Sequence, residues 1–409
     1  VVSFELREFQ ERIQRTKRRM IEKGIDVLLI TDPANMNYIS GYDGWSFYVD
    51  QMVVLVLDEE QPLWIGRKMD ANGAKATTWL YHENIIPYTD DYVHSSTKHP
   101  MDFTAEILAQ IGHSRSRIGV EMGAYYFSAL AFERLKKGLP DANWQDATLL
   151  VNDVRMIKSP QEIEYMKKAA KIVEAAMRKG IDAIAEGVRE CDVVAEIYHK
   201  LISGTPEFGG DYPAIVPMLP AGKNTSTPHL TWSDQKYRNK DSVIIELAGC
   251  YKRYHSPLAR TVSIGPPSPK VNDLSKVVVE GLNNALDFVK PGVTCEEVEE
   301  VWRSTISKYG IVKDSRIGYS IGLNYPPDWG EHTASLRQGD KTVLKPNMTF
   351  HMIPGVWYGD YGVEISESFL VTDKGCEVLA DFPRELIVTP KMMVLGGTEA
   401  GDLAHGEPM

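Results

Sequence analysis

The stretch VIIELAGCYKRYHSPLARTVSIG, residues 243 to 265, constrains this chain more than any other. It reads as two apolar strands around a tight connection. Strand alternation places Ile244, Glu246 and Ala248 on one face, so Glu246 lies either on a wet face or in a cavity. A lone buried carboxylate is costly. Such a group pairs, takes up a proton or does chemistry.

The chain has 409 residues, enough for two or more domains with separate cores. Its formal net charge of −11 argues against a nucleic-acid partner, and no basic block suits an anionic membrane. No apolar run approaches the ~18 residues of a membrane span. The stretch VVSFELREFQERIQRTKRRM is helical in pattern and lacks the apolar core of a signal peptide. Cys191, Cys250, Cys295 and Cys376 are far apart and form no C-x-x-C pair. They read as reduced thiols, which excludes thiolate zinc sites and points to the cytoplasm.

Up to about residue 150, apolar runs (25 to 31, 52 to 58, 62 to 66, 118 to 121) alternate with helical stretches, beginning with a helix over 4 to 23. That pattern predicts an α/β domain with a mostly parallel or mixed sheet. A helix then opens with Ser159 as N-cap, Pro160 at its first position and Glu162 completing a capping box. A second domain is expected over 151 to 388, with a tail from 389 to 409. Within it EGVRECDVVAEIYHKLI (186 to 202) echoes PGVTCEEVEEVWRSTI (291 to 306), which suggests a repeated helix pair on a sheet. The segment 241 to 372 otherwise reads as strands with one helix near 296 to 308. The tail shows no periodicity and reads as disordered or as an extended arm.

Unusual polar residues collect in four places: His229 in NTSTPHLTWSD, Glu246, the loop RIGYSIGLNYPPDWGEHT, and Glu364 and Glu367 in DYGVEISESFLV. Singly, each has an ordinary explanation. A turn histidine is commonly a cap, paired glutamates line wet edges, and proline stiffens loops.

Their order carries more weight. The run VRMIKSPQEIEYMKKAA, the turn histidine, the strand pair ending in Arg260-Thr261, the loop GYSIGL, the strand HMIPG and the strand GVEI resemble, in sequence order, the pita-bread family of Xaa-Pro dipeptidases, methionine aminopeptidases and creatinases. The resemblance implies an α/β (α+β) chain: a creatinase-type N-terminal domain over 1 to 150 and a pita-bread catalytic domain with pseudo-twofold symmetry. Metallopeptidases of this family hold two metal ions with two Asp, one His and two Glu. Here those positions fall on Glu246, Pro257, Tyr319, Ile353 and Ser366. The departures imply no metal and no other cofactor. Creatinase is the metal-free precedent, and its turn histidine matches His229, but Ala259 stands where its catalytic Glu would be.

Within the family, the GYSIGLNYPPDWGEHT loop and HMIPGVW strand look like those of ectoine hydrolases, cytoplasmic enzymes that open a cyclic amidine. The resemblance implies Glu246 as nucleophile or general base and His229 as general acid. It implies Tyr319, Asp328, Glu331, His332 and Glu364 as substrate-binding residues. Glu364 stands where many relatives carry Arg, an inversion that suits a cationic substrate. Trp45 and Phe47, in SGYDGWSFY, are expected either in the N-domain core or against an active site, often the partner's in a homodimer. A downstream deacetylase is a further possible partner. The rival expectations are a creatinase-like amidinohydrolase, a protein-binding pseudoenzyme, and a rearranged metal site built from Glu246, His332, Glu364 and Glu367.

Overall fold

The computed structural model describes residues 3–389. The expectation for the tail lies outside the described residues beyond Thr389.

The first half is a six-stranded mixed sheet. Its strands are β1 (Val27–Ile30), β2 (Met52–Val56), β3 (Leu63–Arg67), β4 (Ile85–Tyr88), β5 (Arg117–Val120) and β6 (Asn143–Asp146), in the order β4-β3-β2-β1-β5-β6. β1 runs antiparallel to β2 and parallel to β5. Both faces of β1 are buried, as its unbroken apolar run requires. Helices α1 (Leu6–Lys23), α2 (Pro33–Ser40), α3 (Ala71–Thr77), α4 (Pro100–Gln110) and α5 (Ala129–Gly138) flank this sheet, and α6 (Leu150–Arg155) follows it.

The second half opens with α7 (Pro160–Ala183). Its capping box forms as the sequence predicts: the Ser159 side chain accepts from the Glu162 amide, and the Ser159 amide donates to Glu162 at 2.7 Å. α7 packs on α8 (Glu190–Ser203), and α9 (Pro269–Phe288) packs on α10 (Cys295–Ser307). The two echo segments are α8 and α10, each the second helix of its pair. Helix α9 departs from the strand expectation. Its KVVVE run is β-branched like a strand, yet Val271, Leu274, Val278 and Leu282 bury at helical spacing behind a Ser268 cap.

Between the helix pairs lie β7 (Ser242–Tyr251), β8 (Tyr254–Ile264), β9 (Gly318–Ile321), β10 (Gly330–Leu336), β11 (Thr349–Met352), β12 (Val356–Trp357), β13 (Gly362–Val363), β14 (Glu367–Val371), β15 (Cys376–Val378) and β16 (Ile387–Thr389). They form sheets ordered β10-β9-β11-β14-β15 and β16-β8-β7, with β12 paired to β13. The Ser366 amide bonds the Ala259 carbonyl at 3.1 Å, which brings the start of β14 onto β8.

The halves meet through buried charge. Arg12 of α1 pairs with Glu8 at 2.7 Å and lies 3.6 Å from Glu162 of α7. Its guanidinium stacks on Phe4 at 3.9 Å.

Candidate active site

β7 and β8 form the hairpin read from residues 243 to 265, with Glu246 opposite Ala259, Ile244 opposite Thr261 and Ala248 opposite Pro257. Glu246 is buried. Its strand is held on the other edge by a backbone pair with Met218, at 2.9 and 3.0 Å.

Residues 260 and 261 explain how a second carboxylate reaches it. Thr261 shares the face of Glu246. Its hydroxyl accepts from the Glu364 amide at 2.8 Å and donates to the Glu364 carbonyl at 2.9 Å. That grip fixes the chain just after β13 and sets the Glu364 carboxyl against that of Glu246. Arg260 points to the opposite face, where it pairs with Glu367 at 2.7 Å, and Arg384 joins from 3.0 Å. Glu367 is therefore structural, and the rearranged metal set that included it does not assemble.

Burial pushes Glu246 well above the usual carboxylate range, reinforced by the charge of Glu364 and then of Asp328. Burial likewise pushes Glu364 up to about 7, while the charge of Lys313 pulls it down. The two carboxyls titrate as a unit and hold a proton near neutrality. Glu364 Oε1 is buried and accepts no hydrogen bond. Asp328 differs. Burial opposes its charge, but the His332 ring at 2.6 Å and the Gly330 amide at 2.9 Å outweigh burial and hold it below its ordinary value.

Opposite the carboxyls runs a hydrogen-bonded chain. Trp329 Nε1 donates to the Tyr319 hydroxyl at 2.8 Å, and that hydroxyl lies 3.1 Å from His351 Nδ1. His351 Nε2 lies 2.7 Å from the Ser366 hydroxyl, which also accepts from the Ala259 amide at 2.7 Å. Burial lowers the His351 pKa to about 3, so the ring is neutral. A neutral imidazole carries one N–H, so either Tyr319 or Ser366 retains a hydroxyl proton not used within the chain. His351 is the residue that sequence reasoning missed. Its signal was a histidine two positions before the Ile353 of HMIPG.

Tyr319 and Ser366 are thus bridged by an imidazole. Pro257 and Ile353 have no donor side chain. Among the described residues no three His, Cys, Asp or Glu side chains converge to hold an ion. The donor set does not fit a dinuclear metal centre.

The remaining expected residues lie elsewhere around this centre. Glu331 is buried in an ion pair with Lys158 at 2.7 Å and with Arg155 at 3.4 Å. Those cations hold its carboxylate in place. His332 reaches from Asp328 toward Tyr125 of the N-terminal half, 3.5 Å from its hydroxyl. His229 is exposed in the turn after a short helical turn, Gly222–Ser226. That turn is pinned beside the site: the Gly362 amide bonds Thr225 Oγ1 at 3.2 Å, and a Cβ on Gly362 would meet the Thr225 carbonyl at 2.2 Å. Trp45 is exposed and packs on Phe47 and Tyr212, 4.7 and 4.8 Å between ring centres. Phe47 is half-buried against Tyr126 and Tyr325. Asp43 in the same loop pairs with Arg253 at 2.9 Å. Phe47 packs on the edge of a core cluster, while Trp45 stays exposed. The loop is clamped onto the second half of its own chain.

Residues 164–373 match the metallopeptidase family M24, and residues 12–157 match the creatinase/prolidase N-terminal domain. The chain is 48% identical to an ectoine hydrolase of Halomonas elongata, over 94% of this chain and 98% of that one. It is 27% identical to a Xaa-Pro dipeptidase of Pyrococcus furiosus, over 92% and 100%. The solved prolidase of Pyrococcus horikoshii superposes with a TM-score of 0.78 at 26% identity, covering 92% of this chain and all of that one. The mixed α/β architecture is that of a creatinase-type N-terminal domain joined to a pita-bread domain.

Proposed function

The chain belongs to metallopeptidase family M24, and we propose that within this family it is a metal-independent hydrolase that opens the cyclic amidine of ectoine to N-acetyl-diaminobutyrate. The observation that carries this reading is the buried Glu246–Glu364 pair, with an orphaned acceptor on Glu364 and, among the described residues, no metal-ligand set around it. An amidinium brings positive charge and N–H donors to carboxyls that otherwise repel each other. Its arrival pairs Glu246 as the carboxylate and leaves the shared proton on Glu364. Identity to the Halomonas elongata ectoine hydrolase supports the choice among amidines.

In the mechanism we infer, a Glu246 oxygen bonds to the amidinium carbon and the π electrons move onto a ring nitrogen. That nitrogen takes a proton and leaves as an amine when its bond to the carbon breaks. Water then adds to the same carbon, one of its protons returning to the group that protonated the amine and the other passing to solvent, and the bond to Glu246 breaks to release the acetamide. Two groups can protonate the leaving nitrogen: Glu364, already in the pair, and His229 on the adjoining turn. The contact between the two carboxyls favours Glu364. Asp328, with His332, keeps the pocket negative, and Tyr319 offers its hydroxyl. The homodimer, the cytoplasmic location and the deacetylase partner belong to the same proposal. The exposed Trp45 and Tyr48 supply apolar surface for a second copy.

Incubation of the purified protein with ectoine, followed by proton NMR, tests the reading. Conversion of the ring methyl signal to that of an acetamide is expected. An unchanged spectrum beside turnover of creatine would transfer the site to a creatinase-like reaction.

A further inference from the structure

Ectoine is a zwitterion, and the pocket described so far supplies only negative charge. The connection 311–317 between α10 and β9 supplies the other sign. Lys313 is half-buried and lies over the ring of Trp357, 4.4 Å from its centre. Its ammonium has one hydrogen bond, to the Ser315 hydroxyl at 2.7 Å, and among the described residues no carboxylate lies within ion-pair distance. It nevertheless feels the charge of Glu364. Trp357 pairs across β12–β13 with Gly362, two residues before Glu364, so the ammonium stands on the rim beside the carboxyl pair.

We propose that Lys313 is the specificity-determining residue that receives the substrate's carboxylate, so that the site selects cyclic amidines bearing an anionic group a few bonds from the amidine carbon. This rests on the ring-opening reading above. A desolvated ammonium with two unused N–H donors and an aromatic wall is incomplete until an anion arrives. Burial accordingly lowers Lys313 to about 8, only partly offset by Glu364. Arg316 does not compete for the role: it is exposed, stacks on the Tyr319 ring at 4.5 Å and donates to Ser335 at 3.1 Å.

The test compares ectoine with the same methyl-substituted cyclic amidine lacking the carboxylate, using wild type, Lys313→Met and Lys313→Arg. Removing a charge-assisted bond should raise KM for ectoine about 10- to 100-fold in Lys313→Met, with kcat within about threefold. Activity on the carboxylate-free amidine should change less than about twofold, and Lys313→Arg should recover most of the ectoine affinity. Lys313→Met should also melt higher than wild type without ligand, which shows that the variant folds. Equal loss on both substrates, or no loss on ectoine, overturns the assignment to Lys313 while leaving ring opening intact. A wild type inert toward both amidines overturns the ring-opening reading and this inference with it.

Discussion

His351 Nε2 lies 2.7 Å from the hydroxyl of Ser366, just before β14. The imidazole therefore links β9 to the start of β14 by hydrogen bonds to Tyr319 and Ser366. Replacing it with Leu strands two buried hydroxyls. A loss of about 1–3 kcal/mol in unfolding free energy is expected, measured by urea titration. Turnover should fall more than KM rises, because the Tyr319 hydroxyl loses its orientation.

His351 also shapes the acid limb of stability. Its ring stays neutral down to about 3 when folded, as does that of His255, whereas both protonate near 6.5 when unfolded. The unfolded state thus binds more protons between these values. Their contribution is complete above about 6.5 and is lost as pH falls toward 3. Unfolding free energy measured across this range should fall less steeply with acid in His351→Gln than in wild type.

The carboxyl pair acts in the opposite sense. Glu364 titrates near 7 folded and near 4.5 unfolded, so the folded state binds more protons between those values. Stability from this group is present below about 4.5 and lost as pH rises through 7. The stability advantage of Glu364→Gln over wild type should therefore grow from pH 4.5 to 7. Glu246→Gln should lower kcat by roughly a thousandfold or more while melting no lower than wild type. If Glu364 supplies the leaving-group proton, Glu364→Gln costs more kcat than His229→Ala; the reverse order would move that role to the turn.

Glu331 supplies a contrasting test. Glu331→Gln leaves Lys158 and Arg155 buried with their charge uncompensated, at a cost of about 3–5 kcal/mol. Among molecules that remain folded, KM for ectoine should stay within about twofold of wild type. A large KM effect without destabilisation would return Glu331 to the substrate.

The pattern of success with the sequence follows from distance along the chain. Glu246 was legible because it interrupts an apolar strand, and its face followed from alternation alone. The capping box at Ser159 and the helices of the two echo segments were likewise local. Glu364 was legible as a motif residue, but its contact with Glu246 depends on Thr261 gripping a backbone 103 residues later. Nothing in either stretch announces that grip. The ion pair of Glu331 was not legible because its partner Lys158 lies 173 residues earlier, beside a helix cap, where a lysine reads as exposed. His351 escaped notice because a single histidine in an apolar strand has no partner until β9 and β14 are paired to β11. The aromatic loop lies against the second domain because Asp43 pairs with Arg253, whose guanidinium stacks on Tyr212, a contact made 210 residues away in sequence.

In the proposed reaction the Glu246–Glu364 pair opens the ring without a metal ion. The most direct measurement is the rate of ectoine ring opening by protein stripped with chelator, with residual metal quantified in the same sample. The account predicts an unchanged rate at metal content far below one ion per chain, abolished by Glu246→Gln. A rate that disappears on stripping and returns in proportion to added divalent metal would contradict it.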